Sequence, residues 1–342
     1  MSYKHIVVTE FGGPDVLQLE TVDSLPEPGE GQIRVKVLTA GVGFTDTIIR
    51  RGQYPGVKVK PPFALGYDWF GVVDKLGAGV SGVELGQHVA DMPVVGGYTE
   101  YLCVNADRVV PAPAGLDPAQ AVAMILSYTT AYQMLTRLRE LPAGSTCLVH
   151  AAAGAVGTAL LDLGRHMGLT MYGTASKAKH HIVRELGGTP IDYRKENFVA
   201  RIHRETGGAG VDAVFDTIGG RHWSRSYRCV KRGGILVAFG ALQLTTGEES
   251  VGSLMAGFAK LLLGWRLIPD GRATTFYNIQ SRREKKPEEF KQDVKALFEL
   301  LSQNRIHPTI ADSMPLEQAS DAHRRVDQAE ITGKVVLHCA DE

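Results

Sequence analysis

Short apolar runs alternate with segments of helical periodicity through the middle of the chain. The run Leu148–Val149 gives way to mostly small residues at 151–157, and an apolar-periodic segment follows from Thr158 to Met167. A strand, a tight turn and a helix in this order bring backbone N–H groups to the helix N-terminus, where a pyrophosphate can bind. The pattern favours a nucleotide site, although its glycines are only partly present and packing alone also explains such a turn.

The same alternation continues from this helix to Phe239. Strands separated by helices of about ten residues predict parallel pairing and a doubly wound α/β sheet. The ligand of such a sheet lies at the carboxyl ends of the strands, here Ala151, Thr174, Asp216 and Phe239. The predicted strands are residues 170–174, 190–193, 211–216 and 234–239, and the predicted helices are residues 177–186, 196–206 and 221–230.

The residues before this region follow a different pattern, in which strands alternate with paired turn residues such as Gly12-Gly13 and Pro28-Gly29. This pattern predicts a mainly antiparallel β domain. A helix from Lys286 to Asn304 and a closing strand at 333–338 follow the doubly wound region. We therefore expect a nucleotide-binding domain of residues 123–283 inserted into a catalytic β domain of residues 1–122 and 284–342. The predicted strands of the β domain include residues 6–9, 32–39, 71–76, 88–91 and 99–104.

The end of the second predicted strand indicates which nucleotide binds. An NAD site usually carries an acid there for the ribose 2′-OH, whereas this chain has Thr174 to Ser176 followed by Lys177 and Lys179. A hydroxyl with one or two ammonium groups would bind a 2′-phosphate by charge-assisted hydrogen bonds, so NADPH is predicted. The alternative is that both lysines are ordinary solvated residues in the first turns of a helix.

Composition narrows the class of protein further. Lysine plus arginine equals aspartate plus glutamate at 37 each, which gives no electrostatic reason to expect nucleic acid as a partner. The four cysteines have no CxxC spacing, which argues against a disulfide framework and a zinc knuckle. The N-terminus has no long apolar region, so we expect a cytoplasmic protein.

The longest apolar stretch, Leu254 to Pro269, is interrupted by Lys260 and Arg266. It is too short and too charged to span a bilayer, so no stable membrane insertion is expected. We expect a helix packed on the protein, with a subunit contact, a pocket wall or a membrane-surface helix as alternatives.

Segments spread over nearly the whole chain carry a family resemblance. They are AGVGFTDTIIRRGQYP (40–55), GYDWFGVVDKLGAGV (66–80), LGQHV (85–89), SYTTAYQML (127–135), HAAAGAVG (150–157), ELGGTPIDYR (185–194), DTIGG (216–220), GGILVAFG (233–240) and TGKVVL (332–337). In this order they resemble the medium-chain dehydrogenase/reductase superfamily, and within it the zinc-independent quinone oxidoreductases. The resemblance implies a Rossmann domain inserted in a GroES-like catalytic domain, and a homodimer.

Two sequence segments indicate whether the chain can bind a catalytic zinc ion. The zinc-dependent branch carries a cysteine in the GVxxxD segment and a histidine in the GxE segment. Here those segments read Gly41 to Asp46, with Gly43 and Phe44 inside it, and Gly66-Tyr67-Asp68. The four-cysteine lobe of that branch is also missing, so we expect no catalytic or structural metal.

The resemblance also implies cofactor contacts. Thr130 would face the nicotinamide or its ribose, and Gly154, Ala155, Val156 and Gly157 would hold the pyrophosphate. The contacts implied at the 2′-phosphate are Ser176, Lys179 and Tyr193, although Tyr193 could instead be a core tyrosine at a strand end. The contacts implied near the nicotinamide ribose are Ile218, Phe239 and Gly240, and Asp46 is a further implied cofactor contact.

The predicted catalytic pocket differs from the quinone oxidoreductase pattern at two positions. Gly43 stands where that family often has an asparagine, and Ile48 stands where it often has a tyrosine. Tyr54 and Tyr128 are the candidate catalytic residues. The predicted reaction is direct hydride transfer to a quinone or an enone, which needs no Lewis acid. The alternatives are an enoyl-thioester reductase and an NADPH-binding structural or interaction protein with little activity.

Overall fold

The computed structural model describes residues 1–54, 56–245, 247 and 249–341, without the side chain of Thr245. Pro55, the last residue of the first resemblance segment, therefore lies outside the described residues. The chain divides into two compact units, Met1–Thr129 with Pro287–Glu342 and Thr130–Lys286. The first unit is discontinuous in sequence, and the second is one continuous stretch.

The secondary structure of the described residues comprises strands and helices of very different lengths. The strands are β1 (Tyr3–Val8), β2 (Leu17–Val22), β3 (Gln32–Val42), β4 (Phe63–Ala64), β5 (Asp68–Leu76), β6 (His88–Asp91), β7 (Tyr101–Asn105), β8 (Val110–Pro111), β9 (Thr146–Val149), β10 (Thr170–Ala175), β11 (Thr189–Asp192), β12 (Val211–Asp216), β13 (Val230–Ala238), β14 (Ala273–Phe276), β15 (Ile310–Pro315) and β16 (Lys334–His338). The helices are α1 (Phe44–Arg50), α2 (Pro118–Ala123), α3 (Thr129–Thr136), α4 (Ala155–His166), α5 (His180–Glu185), α6 (Phe198–Glu205), α7 (Gly220–Cys229), α8 (Leu242–Thr245), α9 (Val251–Ala259), α10 (Ile279–Lys285), α11 (Pro287–Ser302) and α12 (Ala319–Asp327).

Strand β3 organises the first unit. Ile33, Val35 and Val37 are buried at every second position, as a half-covered strand requires, and the strand is buried throughout from residue 37 onward. It pairs antiparallel with β5, β7 and β16 in a sheet of order β15-β16-β3-β5-β6-β8, while β2-β1-β4 form a smaller antiparallel sheet. Helix α11 packs Phe298 edge-on against Phe70 of β5, with 6.2 Å between ring centroids.

The second unit is built on a parallel sheet of order β11-β10-β9-β12-β13-β14. Counted along the unit, this is the strand order 3-2-1-4-5-6 of a doubly wound fold, and the order reverses between β9 and β12. The central strands β9, β12 and β13 are mostly buried and apolar, as is usual in a parallel sheet. The fold class predicted from the sequence is therefore confirmed.

Two local features of the second unit differ from the sequence-based expectation. Strand β14 was not predicted, because ATTF is short and half polar. The predicted helix at 177–186 begins as a 3-10 turn, Lys177–Lys179, and becomes α-helical only at His180. These are differences of boundary and length, which depend on tertiary contacts rather than on local periodicity.

The apolar stretch 254–269 is a broken helix. It runs through the end of α9, a π-helical turn (Lys260–Gly264) and a 3-10 turn (Trp265–Leu267). Leu254 and Leu261 are buried, as expected for a packed helix, whereas Leu263 is 68% exposed and Leu267 83%. In the part of the chain that the structure describes, no helix combines the length and apolar character needed to cross a membrane.

Candidate functional site

The carboxyl edge of the second unit's sheet, at the reversal between β9 and β12, is where the fold predicts a ligand. Backbone hydrogen bonds connect the segments that follow neighbouring strands. His150 N donates to Phe215 O, Ala152 N to Thr174 O and Phe239 N to Asp216 O, each over 3.0 Å. The four strand ends singled out from the sequence therefore lie along one hydrogen-bonded edge.

The start of α4 has the form of a phosphate site. Its N-cap residue is Gly154, which has no side chain to cap the helix, and its first turn consists of uncharged residues. Ala151 holds the turn with φ +53°. A Cβ on Gly157 would meet the carbonyl oxygen of Ala151 and lie 2.7 Å from Ala152 Cα, so only glycine fits there. The N–H groups of a first helical turn have no partner within the helix, and together with the close backbone they fit a bound pyrophosphate.

The Asp216 carboxylate is the hub of a buried polar network at this edge. Its Oδ1 accepts a hydrogen bond from Ile218 N at 2.7 Å, and its Oδ2 accepts from Ser226 Oγ at 2.6 Å and His222 Nδ1 at 2.7 Å. Burial alone would raise the pKa of Asp216, but the charge and hydrogen bond of His222, followed by His150 and the Ser226 hydroxyl, lower it to about 2. The carboxylate therefore stays ionised although it is fully buried.

His150 extends the network to two more strands. Its Nε2 lies 3.0 Å from Ser226 Oγ and its Nδ1 lies 3.0 Å from Thr174 Oγ1. Because the Ser226 hydroxyl donates to Asp216, His150 Nε2 must donate to Ser226, and Nδ1 accepts from Thr174. Burial, followed by the neighbouring His222, lowers the pKa of His150 to about 3, so the ring is neutral.

Among the described residues, His150, Asp216 and His222 bring three possible metal donors within 4.8 Å of one another. The Ser226 hydroxyl lies 3.0, 2.6 and 3.4 Å from His150 Nε2, Asp216 Oδ2 and His222 Nδ1. It therefore lies among the three groups, donating to Asp216 and accepting from His150, while His222 donates to Asp216. We interpret the group as a hydrogen-bonded support of the sheet edge rather than a metal centre.

The segment after β10 carries the residues predicted for a 2′-phosphate. Ser176 is the N-cap of the turn Lys177–Lys179 and is half-buried, as is Lys179, whereas Lys177 is exposed. Partial burial lowers the pKa of the Lys179 ammonium. Tyr193 is 53% exposed, with the Arg194 guanidinium 5.7 Å from its ring centroid, so the alternative of a core tyrosine is wrong.

The remaining cofactor candidates of this unit lie on buried or half-buried backbone. Thr130 is buried in α3, while Ile218, Phe239 and Gly240 are half-buried beyond the ends of β12 and β13. The loop of Ile218 is fixed by its hydrogen bond to Asp216. The roles of these residues toward a cofactor stay predictions.

Three buried charged side chains of the first unit, Asp46, Asp68 and Lys334, lie near the positions where the zinc branch has its ligands. Asp46 Oδ2 accepts from Gly43 N at 2.8 Å and so caps α1, and Lys334 Nζ lies 3.4 Å from both oxygens of Asp68. Burial, and then the charge of Asp68, raises the pKa of Asp46 to about 7. Asp46 is fully buried, and its predicted cofactor contact stays a prediction.

Two tyrosines of the first unit form a pair. The Tyr54 and Tyr67 hydroxyls lie 3.0 Å apart, and their rings meet edge to face with 5.9 Å between centroids. Tyr67 is fully buried and Tyr54 half-buried. Tyr128, the other candidate catalytic residue, is buried in the π-helical turn Met124–Tyr128.

The roles of His150, Ser226 and His222 could not be predicted from the sequence. The i, i+4 spacing of His222 and Ser226 places them on one helix face, but His150 lies 76 residues from Ser226. The Tyr54–Tyr67 hydrogen bond joins residues 13 positions apart, on either side of strand β4.

Two family models match the chain. Residues 29–114 match the alcohol dehydrogenase GroES-like domain, and residues 186–337 match a zinc-binding dehydrogenase model. The two matches fall in the first unit and across the second unit into the end of the chain.

Known proteins are similar over almost the full length. The chain is 33% identical to the synaptic vesicle membrane protein VAT-1 homolog of Rattus norvegicus over 97% of this chain and 83% of that protein. It is 29% identical to a 2-haloacrylate reductase of Burkholderia sp, over 97% of each. The solved structure of the Escherichia coli quinone oxidoreductase complexed with NADPH has a TM-score of 0.85 and 29% identity, over 98% of this chain and 99% of that one.

Replacing Gly157 by Ala should damage the turn, because the new Cβ meets rigid backbone. We expect a loss of about 1–3 kcal/mol in the free energy of unfolding, measured by urea denaturation. Gly154→Ala is the matched control in the same turn, since the closest atom to its Cβ is 3.3 Å away. Equal losses for both variants would contradict the close packing assigned to Gly157.

The neutral, buried His150 should make stability depend on pH. Below its unfolded pKa of 6.5 the unfolded chain binds a proton that the folded chain does not bind until about pH 3, so stability falls as the pH drops through this window. Between pH 7 and pH 5 we expect His150 to contribute a loss of about 2 kcal/mol. His150→Gln should lack this part of the loss in urea denaturation at both pH values; identical slopes would refute the neutral assignment.

Proposed function

Because the chain belongs to the medium-chain dehydrogenase/reductase superfamily, we propose that it is an NADPH-dependent oxidoreductase that reduces quinones or α,β-unsaturated carbonyl compounds without zinc. The main support for this proposal is the turn before α4. The helix N-terminus there has no side-chain cap, and it lies on the same sheet edge as Ser176 and Lys179. The NADPH in the E. coli quinone oxidoreductase structure supports the choice of cofactor.

We assign the cofactor to the nucleotide-binding domain, proposed as residues 123–283. Ala155, Val156 and Gly157 hold the pyrophosphate through the N–H groups of the first helical turn, and Gly154, whose own N–H donates to Ala151 O, lets the backbone come close to it. The sheet-edge network keeps the Ile218 loop in place. The other proposed contacts are Ser176, Lys179 and Tyr193 at the 2′-phosphate, and Thr130, Ile218, Phe239 and Gly240 at the nicotinamide end.

Hydride transfer to a quinone or an enone requires a proton donor but no Lewis acid. When bound, NADPH supplies a hydride to the electron-poor carbon of the substrate. Charge then develops on the substrate carbonyl oxygen, and the half-buried Tyr54 phenol is the group we propose to protonate it. Gly43 and Tyr67 offer no thiolate or imidazole at the positions of the zinc ligands, which supports a metal-free reaction.

We further propose a homodimer that covers part of the exposed apolar surface of residues 251–268. Met255, Leu263 and Leu267 are among its exposed side chains, and contiguous apolar surface of this kind is typical of an interface.

Lys179→Ala should weaken NADPH binding about tenfold or more and leave NADH binding nearly unchanged, because a charge-assisted contact to the phosphate is lost. Isothermal titration calorimetry with both cofactors measures the two dissociation constants. Lys177→Ala, in the same turn but exposed, is the matched control and should change neither. Equal affinity of the wild type for NADPH and NADH would contradict the assigned 2′-phosphate site.

Reduction should proceed after exhaustive chelation. NADPH consumption is followed with benzoquinone, a simple enone and an enoyl thioester, before and after treatment with a chelator. We expect turnover of the quinone or the enone at the same rate in both samples. Turnover of the thioester alone indicates the enoyl-thioester reductase, binding of NADPH without any turnover indicates an interaction protein, and activity restored only by zinc contradicts the metal-free reaction.

Leu263→Glu should raise the monomer fraction in sedimentation velocity, because it places a charge in the proposed subunit contact. Leu85→Glu, an exposed leucine of the first unit, serves as the control and should leave the assembly unchanged. A Leu263→Glu variant that sediments like the wild-type dimer would remove this surface from the interface.

A further inference from the structure

The Tyr54–Tyr67 pair has two unequal members. Tyr67 stands at the position of the zinc branch's histidine, and its side chain is fully buried, whereas Tyr54 is half-buried. Their hydroxyls are 3.0 Å apart, within hydrogen-bond distance, and either oxygen can donate. The difference in burial decides which phenol is able to lose its proton.

Charged groups around the buried phenol hold its proton in place. Burial raises the pKa of Tyr67 well above its ordinary value, and Tyr54, Asp46 and Asp68 raise it further. Asp46 faces it from α1 and Asp68 from β5, with Lys334 of β16 beside Asp68. A phenolate at Tyr67 would be both desolvated and next to carboxyl groups, so Tyr67 remains a donor.

We propose that the Tyr67 hydroxyl donates its hydrogen bond to the Tyr54 oxygen and stabilises the phenolate that Tyr54 becomes when it protonates the reduced substrate. This inference rests on the proposed function. When hydride adds to the β-carbon, the C=C electron pair shifts to form a double bond to the carbonyl carbon, and the C=O π pair moves onto the oxygen, which gives an enolate. The Tyr54 O–H bond breaks, its proton goes to the enolate, and the electron pair stays on the Tyr54 oxygen, which later takes a proton from water.

The Tyr67 hydrogen bond acts mainly on the charged product of this step. A hydrogen bond to a charged oxygen is shorter and about twice as strong as one between neutral groups. Tyr67 therefore favours the state with Tyr54 deprotonated over the state with Tyr54 protonated. It is a positioning residue, since it acts on the substrate only through Tyr54.

The test measures the ionisation of Tyr54 directly and does not depend on activity. Protein labelled with ¹³C at tyrosine Cζ is titrated by NMR, and the Tyr54 signal is identified by its loss in Tyr54→Phe. Tyr67→Phe should move the midpoint of the Tyr54 titration to higher pH by about one unit. Tyr98→Phe is the matched control, because Tyr98 is equally buried but bonds to His323, and it should leave the midpoint unchanged.

Kinetics supply the second readout. Tyr67→Phe should lower kcat about tenfold near neutral pH with the KM for NADPH unchanged, and adding Tyr67→Phe to Tyr54→Phe should cause no further loss. An unchanged Tyr54 midpoint, or a full additional loss in the double variant, overturns the proposal. If no carbonyl substrate is reduced at all, the proposed function fails, while the NMR midpoint still decides whether Tyr67 stabilises the Tyr54 phenolate.

Discussion

The Asp216 carboxylate is the group on which the carboxyl edge of the second unit's sheet depends. A buried charge costs several kcal/mol unless it is paired and hydrogen-bonded. Asp216 receives hydrogen bonds from its own loop and from α7, Ser226 connects it to His150 after β9, and His150 in turn contacts Thr174 of β10. One ionised group therefore joins the ends of β9, β10 and β12 through side-chain hydrogen bonds.

The pattern of apolar and polar residues along the sequence was sufficient to predict those elements of the fold that depend mainly on neighbouring residues. Periodicity, helix length and small-residue turns predicted the doubly wound sheet and which residues end its strands. Strand β14 was missed because it is four residues long and half polar, and it is held by pairing with β13. The polar network was missed because its members come from distant segments, and the exposure of Tyr193 depends on packing that no local pattern records.

In the first unit, Gly43 and Tyr67 stand at the positions that the family resemblance assigns to zinc ligands, and two buried carboxyl groups lie beside them. Asp46 caps α1, and Asp68 is paired with Lys334. These two carboxyl groups stay buried because each has a partner that compensates part of its desolvation. The sequence showed the replaced positions, but the partner of the Tyr67 hydroxyl could be identified only in the folded chain.

We propose that NADPH binds along the edge formed by the turn before α4 and the segment after β10. Hydrogen–deuterium exchange with and without cofactor locates the bound cofactor on the chain. NADPH should slow exchange at residues 151–157 and 174–179 and leave β1 and β2 unchanged, and NADH should protect residues 151–157 while affecting residues 174–179 less. No protection at residues 151–157 with either cofactor, or equal protection of residues 174–179 by both, would contradict the account.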